Sequence, residues 1–227
     1  MRLISDFFER PELVSKVARK IVLVCCVGLA LLGVGVHLFP VLNLDLAISQ
    51  EIQEISPGWF EPLMATVSFF GTPWVAAASI ILAALAFFFF SYRREALFIL
   101  LTFFADGTNS LLKLAVARPR PTASLVAVFQ KASDPSFPSG HVEHYVVFFG
   151  FLCVVILSLP EISRRIKIIS SIFCLGLIAL VSVSRMYLGA HWATDVLGGY
   201  LAGFILLWVI LHFYFQGRTE TEPKHAP

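Results

Sequence analysis

A chain of 227 residues in which 58% are hydrophobic and only 14% are charged does not have the composition of a soluble domain, where charged residues make up about a quarter. The formal net charge of +2 is too small to imply nucleic-acid binding, and no basic run is interleaved with aromatics. What remains is an all-α, polytopic membrane protein.

A bilayer core calls for about 20 mostly apolar residues per spanning helix. Six segments meet that length: Ile21 to Phe39, Trp74 to Phe90, Ala96 to Ala115, Val142 to Leu159, Ile168 to Ser184 and Trp192 to Phe215. The first has about twenty residues ahead of it and no Ala-x-Ala site before Pro40, so it is expected to be a retained anchor rather than a cleaved signal peptide. Between the first two spans, Leu44, Ile48, Ile52 and Ile55 recur at helical spacing among Asp45, Gln50, Glu51 and Glu54. That pattern predicts a short interfacial helix, which either borders a lipid entrance or packs on the surface. The organisation expected is a cytoplasmic segment over 1–20, a six-helix membrane domain over 21–216, and a polar, disordered cytoplasmic tail over 217–227. No internal repeat or lipidation signal is present. Cys25, Cys26, Cys153 and Cys174 all fall within apolar segments and read as small buried hydrophobes.

The distribution of lysine and arginine sets an orientation. With the amino terminus in the cytoplasm, twelve of the seventeen basic residues lie on that side. The other side keeps Lys113, Arg118, Arg120, Lys131 and Arg185. Both termini are therefore expected inside, and the polar fragments that interrupt the apolar chain are expected on the outer face, periplasmic or extracellular at a bacterial inner (plasma) membrane and lumenal in a eukaryotic endomembrane, the bacterial membrane being the reading adopted.

Those fragments carry the chemistry. Lys113 lies at the end of the third span and Arg120-Pro121 follow it, and Arg185 directly follows the fifth. Together these cations suit phosphate oxygens, whereas any one of them taken alone reads first as a snorkelling interfacial residue. Arg118 lies beside this pattern as an auxiliary charge. Pro138-Ser139-Gly140-His141 opens the fourth span. Its small residues let backbone N–H groups at a helix N-terminus approach an anion, with His141 placed as a general acid, or it is only a turn and helix start. His191 and Asp195 are four apart at the head of the last span, so a helix sets them on one face. The carboxylate can fix one imidazole nitrogen and free the other as nucleophile or base, or the pair is a helix cap with an interfacial histidine. Glu143 and His144 follow His141, and either extend the site or stay in a wetted first turn. Asp106 and Asn109, one turn apart in the third span, can bridge helices or extend a polar cavity.

Three spacings coincide: Lys113 to Arg120-Pro121, Pro138 to His141, and Ser184-Arg185 to His191 and Asp195. The chain thereby resembles the type 2 phosphatidic acid phosphatase superfamily of lipid phosphate phosphatases, whose signature is Lys-x6-Arg-Pro, Pro-Ser-Gly-His and Ser-Arg-x5-His-x3-Asp. The resemblance implies a metal-independent mechanism without cofactors, in which His191 attacks phosphorus, Asp195 supports it and His141 protonates the leaving group. Lys113, Arg120, Ser139, Gly140 and Arg185 would then bind the substrate phosphate. No carboxylate cluster offers a competing metal site. The expected partners are the bilayer and a lipid phosphate such as undecaprenyl diphosphate, phosphatidic acid or phosphatidylglycerol phosphate. A lipid phosphotransferase of the same fold, or a non-catalytic lipid transporter or binding protein, is the alternative.

Overall fold

The structure, a computed structural model, describes residues 11–55 and 57–219, with side chains described for 16–55 and 57–216. Among these residues there is no strand. Ten α-helices follow one another: α1 (Pro11–Leu38), α2 (Asn43–Gln53), α3 (Phe60–Phe69), α4 (Pro73–Phe89), α5 (Arg93–Leu101), α6 (Phe104–Val116), α7 (Gly140–His144), α8 (Gly150–Ser158), α9 (Arg164–Tyr187) and α10 (Ala193–Thr219). A π-helical turn, Tyr145–Phe149, joins α7 to α8 without interrupting the span.

Five stretches are long and apolar enough to cross a membrane, namely Lys16–Leu38, Arg93–Val116, Gly140–Ser158, Arg164–Tyr187 and Ala193–Gln216; α3 and α4, bent by 57° at their junction, make a sixth if counted as one span. Apolar side chains point outward along them, with Val24, Leu31, Phe89, Leu114 and Ile172 all exposed. In water this would be a large unpaired patch, whereas lipid makes it the expected exterior. The Gly140–Ser158 span is the axis of the bundle, with 61% of its apolar window buried against 11–39% for the other four single spans. It packs on α9 and α10, α1 lies along α10, and α3 packs on α9. At Gly199 of α10 an added Cβ would sit 2.7 Å from the Ser139 carbonyl oxygen and 2.9 Å from Val142 Cβ. Only hydrogen fits there, which lets the turn before α7 rest directly on α10.

The sequence pattern located the spans but not their interruptions. Pro73, at the first position of α4, cannot donate to a preceding turn, while Thr72 bonds the Phe69 carbonyl through both N–H and Oγ1. The result is the separate helix α3, which the Trp74 to Phe90 reading omitted. The third span breaks at Thr102, whose Oγ1 donates to Ile99 O at 2.6 Å and competes with the helical ladder.

The helix expected near Asp45 exists as α2, but its inward face follows the amphipathic reading only in part: Ile48 and Ile52 turn inward and Gln50, Glu51 and Glu54 outward, while Asp45 departs from the pattern. Asp45 and Ser49 are buried, whereas Leu44 is 63% and Ile55 43% exposed. A buried ion pair from Asp45 to Arg118 outweighs the apolar pattern, which places only Ile48 and Ile52 against the core. Cys26 is exposed rather than buried, on the outward side of α1. Helix α10 continues through Thr219, so the tail does not begin as a disordered segment at Gly217. Residues 1–10 and 220–227, which carry Arg2, Arg10, Lys224 and most of that tail, lie outside the described residues.

Gly199→Ala should therefore push the Ser139 turn off α10 and lower stability by about 1–3 kcal/mol. The check is thermal unfolding of the detergent-solubilised protein; an unchanged Tm would contradict the close approach.

Candidate active site

Helix α6 delivers Lys113 and then stops. Ala117 adopts a left-handed conformation (φ 51°) and donates to the Lys113 carbonyl at 2.8 Å, closing the helix in a position usually held by glycine. Pro119 and Pro121 keep the next residues out of helical geometry. The segment then runs over the end of the bundle. Phe129 and Gln130 donate their N–H groups to Leu188 O at 3.1 and 3.2 Å, and Gln53 of α2 binds Ala127 and Tyr187. Gly189 (φ 63°) completes the contact, since a Cβ there would lie 2.0 Å from Ala127 O.

The result brings all three motifs to one end of the helices, opposite the end where Arg93, Arg94, Arg164 and Arg165 start α5 and α9. Lys113 Nζ pairs with Asp134 Oδ2, and Arg120 NH2 holds Asp134 Oδ1 at 2.9 Å. Burial alone would raise the Asp134 pKa, but the Lys113 hydrogen bond and the two cationic charges outweigh it and hold the pKa down to about 2. Two motif cations thus converge on a single carboxylate whose side chain is half exposed.

Arg120 also reaches the third motif. Its NH1 donates to Ala190 O at 2.7 Å and lies 3.1 Å from His191 Nε2. A guanidinium has no acceptor, so His191 Nε2 is the acceptor and carries its lone pair, leaving the proton on Nδ1. Burial first, then the charges of Arg120, Arg185 and Lys113, hold the His191 pKa well below the usual imidazole value. The ring is therefore neutral at ordinary pH.

On the Nδ1 side, Asp195 Oδ2 is 3.6 Å away. That oxygen also accepts the Trp192 N–H at 2.9 Å, as a carboxylate in the first turn of a helix commonly does. Its other oxygen, Oδ1, is held by Arg118 NH1 at 2.5 Å. Arg118 is fully enclosed and directs three further donors to Asp45 Oδ2 (2.6 Å), Thr194 Oγ1 (2.7 Å) and Pro40 O (2.9 Å). The residue read as an auxiliary charge is a central tie of the site.

Ser139, buried at the start of α7, is fixed by its N–H to Asp195 O at 3.0 Å. The His141 ring lies against Gly71, where a Cβ would come within 2.4 Å of it. Arg185 NH1 donates to Ser68 Oγ and Gln130 Oε1, each at 2.5 Å, and Ser184 Oγ donates to Met64 O at 2.6 Å, so α3 braces the end of α9. Seven buried side-chain polar atoms have no hydrogen-bond partner among the described residues; four belong to the motifs, Ser139 Oγ, His141 Nε2, Arg185 Nε and His191 Nδ1, and the others are Ser49 Oγ and both ring nitrogens of His144. Buried polar groups are rarely left so.

Glu143 and His144 do not join this cluster. Glu143 accepts from Thr108 Oγ1 (2.8 Å) and Asn109 Nδ2 (2.7 Å), and Asn109 also approaches Pro138 O at 3.4 Å. Asn109 is thus a bridge between helices, whereas Asp106 is exposed. His144 stacks on Phe148 and is buried. Sequence reasoning missed Asp134, Asp45, Ser68 and Gln130. Asp134 had one signal, being the sole carboxylate between Asp106 and Glu143. Asp45 had none, since nothing local distinguishes it from Glu51 or Glu54.

A helical membrane bundle that gathers cations, imidazoles and a carboxylate at one end has the makings of a membrane lipid phosphatase. Comparison with known proteins identifies the family: the profile of the PAP2 superfamily matches residues 94–218, over half the chain, and the chain belongs to that superfamily. Phosphatidylglycerophosphatase B of Bacillus subtilis is 31% identical over 81% of this chain and 89% of its own length. An undecaprenyl-diphosphatase of Sulfolobus acidocaldarius is 27% identical over 76% of this chain and 74% of its own. The crystal structure of the transmembrane PAP2-type phosphatidylglycerolphosphate phosphatase from Bacillus subtilis shares the fold, with a TM-score of 0.76 at 23% identity over 90% of this chain and 98% of that one. The chain is accordingly a membrane lipid phosphatase.

Because the folded His191 pKa is depressed, its neutral form survives below the pH at which a free imidazole would protonate. The acid limb of kcat/KM, corrected for ionisation of the substrate phosphate, is expected well below pH 6.5. A limb at or above that value would contradict the charge environment assigned to His191.

Proposed function

We propose that this protein hydrolyses a phosphate or diphosphate monoester of a membrane lipid through a phosphohistidine on His191, at the periplasmic or extracellular face of a bacterial inner (plasma) membrane. The observation that carries the reading is the position of Arg120. One of its nitrogens meets the lone pair of His191 Nε2 while another, together with Lys113, holds a carboxylate. An anion seat therefore adjoins an unprotonated nucleophile.

In that seat, phosphoryl oxygens would replace the Asp134 carboxylate on Lys113 and Arg120, with Arg185 Nε, Ser139 Oγ and the Gly140 backbone N–H as further donors. His191 Nε2 attacks phosphorus as the bond to the leaving oxygen breaks, and His141, which must start this step as the imidazolium, gives that oxygen its proton and is left neutral. Water then cleaves the phosphorus–nitrogen bond, His141 taking the water proton and inorganic phosphate leaving. Asp195 steadies the imidazole through both steps. Each step balances on the chain's own residues, without metal or cofactor.

The membrane face is inferred from charge. The site end opposes the end bearing Arg93, Arg94, Arg164, Arg165 and Lys167, the pattern of a cytoplasmic surface, and puts both termini of the 21–216 membrane domain inside. The relatives named for phosphatidylglycerophosphate and undecaprenyl diphosphate make those lipids, with phosphatidic acid, the substrates to test.

Alkaline quenching of the purified protein during turnover of labelled lipid phosphate should leave a phosphoryl group on the peptide containing His191. His191→Ala should lose that adduct and at least on the order of 10³-fold in turnover. Chelator should change neither result, and phosphate release should need no added acceptor. A folded His191→Ala protein with undiminished turnover would rule out the nucleophile. Because substrate must displace Asp134, Asp134→Asn should lower KM several-fold; a raised KM would show instead that the carboxylate helps to hold the substrate site.

A further inference from the structure

One residue outside all three motifs, Asp45, is wired to the nucleophile end of the site. It lies in α2, about 150 residues before Asp195 in sequence. Asp45, Arg118 and Asp195 are each buried to 1% exposure or less. The Arg118 fork is shared between the two carboxylates: NH1 takes Asp195 Oδ1 at 2.5 Å and NH2 takes Asp45 Oδ2 at 2.6 Å. Asp45 also caps the last span from outside it, Oδ1 accepting Thr194 N–H at 2.8 Å and Oδ2 accepting Thr194 Oγ1 at 2.7 Å.

The sharing has a chemical consequence. An arginine facing one carboxylate prefers the two-pronged arrangement, with both oxygens engaged. Were Asp45 neutral, Arg118 could take Asp195 in that way and draw Oδ2 from the Trp192 N–H and the His191 ring. Charge points the same way, since one guanidinium between two carboxylates leaves the trio with a single net negative charge to support the imidazole as it gains positive character.

We propose that Asp45 is a positioning residue for the nucleophile: by holding half of the Arg118 fork and the first turn of α10, it keeps Asp195 Oδ2 directed to His191. The inference rests on His191 being the nucleophile. It adds to that reading a device in α2 that touches neither substrate nor reacting atoms.

The test is steady-state kinetics on purified full-length protein with a short-chain phosphatidic acid, together with vanadate binding as a count of intact sites. Asp45→Asn should lower kcat by about tenfold or more, with KM changed less than twofold and the vanadate-binding fraction intact. Asp45→Glu, which keeps the charge, should recover most of the loss. Arg118→Lys, a point charge without a fork, should reproduce the Asp45→Asn effect and carries the test if Asp45→Asn does not fold. Unchanged kcat in Asp45→Asn would overturn the proposal, as would a loss that Asp45→Glu does not recover. So would a loss matched by fewer vanadate-binding sites, or failure of both Asp45→Asn and Arg118→Lys to fold, since each result assigns Asp45 to structure alone. His191→Ala separates the two readings: if it stays active the nucleophile assignment fails, whereas an inactive His191→Ala beside a normal Asp45→Asn removes only the role of Asp45.

Discussion

The arrangement depends on one buried cation. Arg118 joins α2, the segment after α6 and the head of α10 at a point where it and both of its carboxylate partners are sealed from solvent. Removing one member of such a buried group costs about 3–5 kcal/mol, chiefly because the remaining charge has no partner. Hydrophobic burial holds soluble bundles together, but in lipid it does little to drive helix against helix. Enclosed polar ties of this kind therefore carry unusual weight in setting where the helix ends meet.

From that tie the division of labour around the site follows in space. Arg118 faces inward and manages carboxylates, while Arg120, two residues on, faces the half-exposed side with Lys113 and meets an anion. Proline on either side of Arg120 keeps the pair from continuing α6. The same stretch thus supplies a cation enclosed between two buried carboxylates and a cation that meets the half-exposed Asp134, and the latter, beside His191 Nε2, also suppresses protonation of that nitrogen. Gly199 and Gly189 serve the arrangement from behind, one admitting the Ser139 turn onto α10 and the other admitting the crossing segment onto the loop before it.

The spans and the three motifs were legible in the sequence because each has a local cause. Apolar length makes a span, and fixed spacing along a helix puts His191 and Asp195 on one face. What escaped was decided by contacts distant in sequence. Asp45 looks like any acidic residue on an amphipathic helix until Arg118 is beside it, and the apolar pattern of Leu44 and Ile55 is then misleading. The helix α3 escaped because Pro73 marks a start without revealing that another helix lies before the bend. Glu143, a conspicuous charge in a span, was visible, but only the structure pairs it with Thr108 and Asn109. The PAP2 superfamily match supplies the reaction class, and the geometry supplies which atoms face one another.

The central claim is that one anion seat, now filled by Asp134, adjoins His191 Nε2. A structure of the protein in complex with vanadate tests it most directly. The expected result is vanadium bonded to His191 Nε2, with oxygens on Lys113, Arg120 and Arg185 and the Asp134 carboxylate displaced. Vanadate bound elsewhere, or Asp134 still bridging Lys113 and Arg120 beside an occupied His191, would contradict it.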